Sequence, residues 1–315
     1  MMDGFPTTIG PGIELPERMI QRLINWNGRE TLQAWFSALP PRLDAWCAEW
    51  SIDLEPRELP DTVSLVLFGT SRRVGPVVIK IGPPNYERNA EIEATRAAAG
   101  AGMVRVIADD PDLSLIMLER LRPGTMLIEA QLPDEEATRI AATRLREFWR
   151  APAEASGLIP LEHWTGPLRR FTPRTTPDFP NDMVLDAQAR LERMLATPTS
   201  RSMLHGDLHH HNILLQEGYG WTTIDPKGLI GERGFDITAW MMNPWGFPTA
   251  PDFLPLANRR LDIFSEMLGE ERQRLVQWCL VFAALNLCWM TDVEHPEDFA
   301  NDTELLASMY QLLES

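Results

Sequence analysis

Asp207, Asn212 and Asp225 are the residues whose types and spacing could do chemistry. They stand in His205-Gly206-Asp207-Leu208-His209-His210-His211-Asn212 and, downstream, in Ile224-Asp225-Pro226-Lys227-Gly228. Phosphoryl transfer asks a protein mainly for positioning and charge neutralisation: a carboxylate to orient the attacking hydroxyl, and an Asn with a second Asp to hold Mg2+ on the β- and γ-phosphates. On that reading Asp207 is the catalytic base, and Asn212 and Asp225 are the metal ligands. Ile213-Leu214-Leu215 and Trp221-Thr222-Thr223-Ile224 read as two short strands around the Glu217-Gly218-Tyr219-Gly220 turn, a hairpin leading to Asp225. The histidines also raise a zinc site, since imidazole is a common ligand. No Cys lies nearby, and three consecutive His cannot converge on one ion without contorting the backbone, so this reading is set aside.

A second signal is a count. Of 29 basic residues only Lys80 and Lys227 are lysines, and all the others are arginines. A chain that accepts Arg almost everywhere keeps Lys where a compact point charge is hard to replace by a planar fork. Lys80 closes Pro76-Val77-Val78-Ile79-Lys80, which resembles the Val-Ala-Ile-Lys strand whose Lys grips the α- and β-phosphates. Lys227 sits two residues past the candidate metal ligand Asp225, where it contacts phosphate or the acceptor, or only caps a loop.

These residues carry a family resemblance. His205-Gly-Asp207-Leu-His-His-His-Asn212 and Asp225-Pro-Lys-Gly-Leu-Ile-Gly-Glu-Arg-Gly-Phe-Asp236 resemble the signatures of the aminoglycoside phosphotransferase family within the protein-kinase-like fold, in the branch of streptomycin 6-kinases and hydroxyurea kinases. Weaker matches follow in order at residues 77–84 and 118–124, and the resemblance spans about residues 55–300. It implies an α+β, bilobal fold, with a small N-lobe built on an antiparallel sheet and a larger, mainly helical C-lobe. It implies ATP and Mg2+ as cofactors. Asp236 resembles the family's structural Asp that ties the following helix to the catalytic loop, with His205 and Lys227 as supporting residues; an ordinary N-cap for residues 237–242 is compatible with that.

The elements that must position these groups are legible in outline. Apolar residues at helical spacing, Leu32, Trp35, Phe36, Leu39, Leu43, Trp46 and Trp50 among them, predict helices over 16–28 and 29–52. Residues 63–70 and 76–81 read as strands joined by Ser71-Arg72-Arg73-Val74-Gly75. No Gly-x-Gly-x-x-Gly is present, so the phosphate-covering turn is expected at Asp61-Thr62-Val63-Ser64, through backbone N–H groups or the Ser64 hydroxyl. A helix over 87–99 brings Glu91 to Lys80 as its partner, with Glu87 and Glu93 as alternatives. Residues 103–107 and 113–118 continue the sheet, and 119–124 is where the chain crosses between lobes, Glu119 and Leu121 offering backbone groups to adenine. This puts the N-lobe at 1–121 and the C-lobe at 122–315. In the latter, helices are expected over 134–150, 184–196, 253–268 and 272–289, with 151–182 as a connecting insert.

Composition bounds the rest. With 45 acidic against 29 basic residues and a net charge of −16, nucleic acid is disfavoured and a cationic small-molecule acceptor is favoured. Asp292, Glu294, Glu297, Asp298, Asp302, Glu304 and Glu314, on a C-terminal stretch without Lys or Arg, are candidates to attract a guanidinium or ammonium compound. Trp240, Trp245, Trp278 and Trp289 offer rings for stacking. No run approaches the roughly 18 to 20 apolar residues of a membrane helix, and the N-terminus lacks a signal-peptide pattern, so a cytoplasmic monomer or weak homodimer is expected. Cys47, Cys279 and Cys288 read as buried, reduced thiols. The leading function is a kinase acting on a hydroxyl of a small, cationic antibiotic. A metabolite kinase of the same fold, for an amino alcohol or sugar derivative, and a non-catalytic nucleotide-binding module are the alternatives.

Overall fold

The computed structural model describes residues 5–10, 12–59, 62–155, 157–244, 253–290 and 299–314. The chain divides into two units, Met1–Ile92 with Val104–Leu121, and Glu93–Met103 with Arg122–Ser315. The last boundary between the units falls between Leu121 and Arg122, and residues 93–103 group with the second unit. Met103, expected in the N-terminal sheet, instead forms a bridge to Thr223, whose N–H and hydroxyl both donate to Gly102 O.

The first unit is built on a five-stranded antiparallel sheet in the order Ile52–Leu54, Leu65–Ser71, Gly75–Ile81, Leu115–Glu119, Val106–Asp110. Period-two alternation decides what each face does. Leu65, Leu67, Val77, Ile79, Ile81, Leu115 and Met117 are buried in one cluster with Leu32, Phe36, Leu39 and Leu43 of the long helix Arg29–Trp50. Lys80, between Ile79 and Ile81, is thereby sent to the opposite face. Pro40 and Pro41 lie inside that helix without ending it. Both are exposed and lie off the buried face formed by Leu32, Phe36, Leu39 and Leu43.

Among the described residues the second unit contains two three-stranded sheets. Gly220–Thr223, Ile213–Gln216 and Pro123–Met126 form one, and Ile159–Pro160, Leu229–Gly231 and Ser202–Leu204 the other. Helices Asp134–Phe148, Asn181–Ala196, Phe253–Leu268, Arg272–Met290 and Ala300–Glu314 make up most of the remainder. Along Arg272–Met290, Leu275, Val276, Trp278, Cys279, Leu280, Val281, Ala284, Leu285 and Leu287 are buried, which is the pattern of a helix enclosed on all sides. The segment ahead of Asp236 is anchored to it. Glu232, 3 % exposed, takes Arg274 Nη2 at 2.6 Å and Trp278 Nε1 at 3.0 Å. Burial raises the Glu232 carboxyl, and the Arg274 and Trp278 hydrogen bonds outweigh it, holding the group below its ordinary value. Among the described residues no helix is long and apolar enough to cross a membrane, and Cys47, Cys279 and Cys288 are buried thiols outside any disulfide.

Candidate active site

In the first unit Lys80 Nζ lies 2.7 Å from Glu91 Oε1, both side chains being largely buried. Glu87 instead accepts from the Tyr86 hydroxyl, and Glu93 pairs with Arg96. The pair is braced by Arg88, which sequence reasoning passed over. This Arg, 5 % exposed, donates to Glu91 Oε2 at 2.7 Å, to Lys80 O at 2.5 Å and to Ser114 O at 3.3 Å. Lys80 and Glu91 are thus held by one buried guanidinium. The available signal was Arg88 standing three residues before Glu91 on one helix face, Tyr86–Ala97.

Ser64 is only 6 % exposed, with its Oγ 3.7 Å from the place a Cβ on Gly82 would take. Of the two options for phosphate contact this favours backbone N–H groups of the turn over the hydroxyl; Asp61 lies outside the described residues. Glu119 N–H is spent on Arg105 O at 3.0 Å and its carboxylate accepts from Arg105 N at 3.0 Å, while Leu121 is buried. Adenine recognition by Glu119 would therefore fall to its carbonyl.

In the second unit, the loops around Asp207 and Asp225 are stitched together. His205 Nε2 lies 2.9 Å from Ile224 O and its Nδ1 accepts from Asp207 N–H at 3.3 Å. One nitrogen donates and the other accepts, which is the neutral tautomer; burial pushes this imidazole down to about 4, so it stays neutral. Lys227 N–H donates to His205 O at 2.6 Å, and Ile224 N–H to Asn212 O at 3.0 Å. From below, Asp236 accepts from Gly206 N at 2.6 Å, His205 N at 3.0 Å and Trp149 Nε1 at 2.8 Å. Burial raises Asp236 to about 6 against those three donors. The residue lies within the 3-10 turn Arg233–Ile237, so its side chain serves the loop rather than capping a helix.

Asn212 Nδ2 donates to the Asp207 carbonyl at 2.9 Å, which leaves the amide oxygen as its other end. Asp225 follows Ile224 at φ 59°, in the left-handed region. An amide oxygen and a carboxylate are hard donors, and Mg2+ takes one or two such ligands together with substrate phosphates rather than a full protein cage. Among the described residues no group of three or more His, Cys, Asp or Glu gathers as a metal site. Lys227 Nζ stands 3.2 Å from Asp207 Oδ2. His209, weighed in the sequence only as a zinc ligand, places Nε2 3.8 Å from Asp207 Oδ1, and His210 is buried, stacked on Trp240 at 3.8 Å.

Trp240 and Trp278 are fully buried core residues rather than stacking platforms, and Trp289 is half-buried. Trp245, Asp292, Glu294, Glu297 and Asp298 lie outside the described residues. Asp302, Glu304 and Glu314 lie on the helix Ala300–Glu314.

Comparison with known proteins identifies relatives of this chain. The family model for aminoglycoside/hydroxyurea antibiotic resistance kinases matches residues 50–294. The chain is 30% identical over 287 residues to a streptomycin 6-kinase of Streptomyces glaucescens, covering 90% of this chain and 92% of that one. It is 26% identical over 292 residues to a hydroxyurea phosphotransferase of Kitasatospora aureofaciens, covering 89% and 81%. Its fold is similar to that of an amicoumacin kinase solved with AMP-PNP and Ca2+, at a TM-score of 0.61 and 15% identity, over 91% of this chain and 96% of that one.

Proposed function

We propose that this chain, which belongs to the aminoglycoside/hydroxyurea antibiotic resistance kinases, transfers the γ-phosphate of ATP to a hydroxyl of a cationic, aminoglycoside-type antibiotic in the cytoplasm. Family membership makes it an alcohol phosphotransferase of protein-kinase-like fold that binds a nucleotide. The observation that carries the finer reading is the stitched pair of loops holding Asp207, Asn212, Asp225 and Lys227 over a buried Asp236. Asp207 orients the acceptor hydroxyl and takes its proton. The amide oxygen of Asn212 and the carboxylate of Asp225 hold Mg2+, which when bound neutralises charge on the β- and γ-phosphates. Lys80, steadied by Glu91, contacts the α- and β-phosphates, with backbone N–H groups near Ser64 above them and the Glu119 carbonyl and Leu121 N–H toward adenine. A cationic acceptor fits a protein of net charge −16, whose field concentrates positive ligands at its surface.

The test is ADP release from ATP and Mg2+ with streptomycin, hydroxyurea and choline as separate acceptors. Streptomycin is expected to support release and to gain one phosphoryl group by mass. Release with choline alone would move the acceptor to metabolites, and release with none of them would overturn the reading.

Lys80→Arg gives an independent check of the nucleotide clamp. Glu91 already receives Lys80 on one oxygen and Arg88 on the other within a largely buried site, so a planar fork at position 80 would have to compete with Arg88 for the same carboxylate. Steady-state kinetics should show kcat/KM for ATP falling by about tenfold to a thousandfold although charge is preserved. Parent-like kinetics would remove Lys80 from the site.

A further inference from the structure

Both lysines of this arginine-rich chain are ion-paired to a carboxylate of the candidate machinery: Lys80 to Glu91 at 2.7 Å, and Lys227 to Asp207 Oδ2 at 3.2 Å. The second pair is not explained by stability. The Lys227 side chain is 40 % exposed and that of Asp207 31 %, and pairs so open to water contribute little to folding. The backbone nevertheless delivers this ammonium with care. Lys227 N–H is bonded to His205 O at 2.6 Å. Gly206, at φ +74°, has no Cβ, and one placed there would stand 3.2 Å from Lys227 Cβ and 2.8 Å from Leu229 Cδ1. The stem of Lys227 therefore starts from a backbone locked against the catalytic loop, one residue before the base.

We infer that Lys227 is a second catalytic lysine, whose ammonium contacts the phosphoryl group in transit while it holds Asp207 in place. The inference rests on the kinase reading above and deepens it. In the transfer, a lone pair of the acceptor hydroxyl oxygen forms the new O–P bond. The bond from the γ-phosphorus to the β,γ-bridging oxygen breaks, and its electron pair leaves with ADP. The hydroxyl proton passes to Asp207. Lys227 stays protonated throughout; an ammonium has three N–H bonds and can span a carboxylate oxygen and an equatorial phosphoryl oxygen. Such a contact strengthens as the phosphoryl group loosens from ADP and nears Asp207, so it acts on the transition state more than on bound nucleotide.

This distinguishes Lys227 from a residue that merely pins the loop. Affinities for ADP with Mg2+, and for ADP with Mg2+ and aluminium fluoride, a mimic of the transferring phosphoryl group, are compared by titration calorimetry for the parent and for Lys227→Met, Lys227→Gln and Lys227→Arg. Kinetics with streptomycin are measured alongside. For Met and Gln, ADP affinity is expected to stay within about twofold, while aluminium fluoride complex affinity and kcat each fall by about a hundredfold at little-changed streptomycin KM. Arg, still a cation, should recover part of both. Should the Met variant fail to fold, the Gln variant carries the comparison. Equal losses for ADP and for the aluminium fluoride complex, or none for either, would overturn the inference while leaving the kinase reading intact. A parent protein that transfers no phosphate to streptomycin would sink both.

Discussion

Asp207→Asn is expected to lower turnover with streptomycin by about two to four orders of magnitude while melting temperature and ADP affinity stay close to the parent's. The substitution is nearly isosteric, and the bonds that fix this segment do not pass through the carboxylate. Asn212 Nδ2 holds the Asp207 main-chain carbonyl, the Asp207 N–H is held by His205 Nδ1, and Gly206 N–H by Asp236. The proton acceptor is removed, and with it the negative charge that Lys227 pairs with. An amide cannot take the hydroxyl proton, and the proper orientation of the attacking oxygen is lost with it. Parent-like turnover in the variant, measured by coupled ADP release, would mean that the base lies elsewhere and that the Lys227 pair marks something other than the reacting centre.

Much of the fold was legible because it rests on local patterns. The alternation Val77, Ile79, Ile81 that buries one face of a strand also dictates that Lys80 faces the other way, and both facts are written in seven residues. The helix Arg29–Trp50 follows from its spacing of Leu32, Phe36, Leu39 and Leu43. Elements too short to show a period were not legible. The connecting insert contains Ile159–Pro160 and two four-residue helices, Leu161–Trp164 and Gly166–Arg169, whose existence depends on neighbours far along the chain. Ile159–Pro160 is a strand because Leu229–Gly231 lies beside it.

The candidate site divides in the same way. Asp207, Asn212 and Asp225 stand out because their chemistry and spacing are local. The groups that support them are contributed from a distance. Trp149 reaches Asp236 across the unit, and Arg274 and Trp278 reach Glu232. Neither an exposed-looking Trp after a helix nor one Arg among many announces such a contact in a single sequence. Lys227 lies between these cases: its rarity was visible, but that its ammonium meets Asp207 depends on the stitching of two loops.

Asp225→Gly and Asp225→Ala should separate function from stability at one position. Asp225 is a non-glycine residue at φ 59°. Asp tolerates that conformation better than most residues, yet it still costs part of the roughly 1–2 kcal/mol per residue that the left-handed region imposes on side chains with a Cβ. Gly pays no such penalty, although it brings greater freedom to the unfolded chain. Both variants lose the carboxylate alike, so Asp225→Gly is expected to melt above Asp225→Ala, which keeps the Cβ without the tolerance of Asp. Both should lose Mg2+-dependent transfer by about three orders of magnitude or more, since a carboxylate ligand to a hard cation cannot be rebuilt from the neighbouring Pro226 or Ile224. Titrating Mg2+ well above its ordinary concentration should recover little. Transfer by either variant at ordinary Mg2+ would remove Asp225 as the ligand. A clear loss of stability in the glycine variant would show instead that its carboxylate holds the loop, and that the left-handed backbone is maintained for structure rather than for the metal.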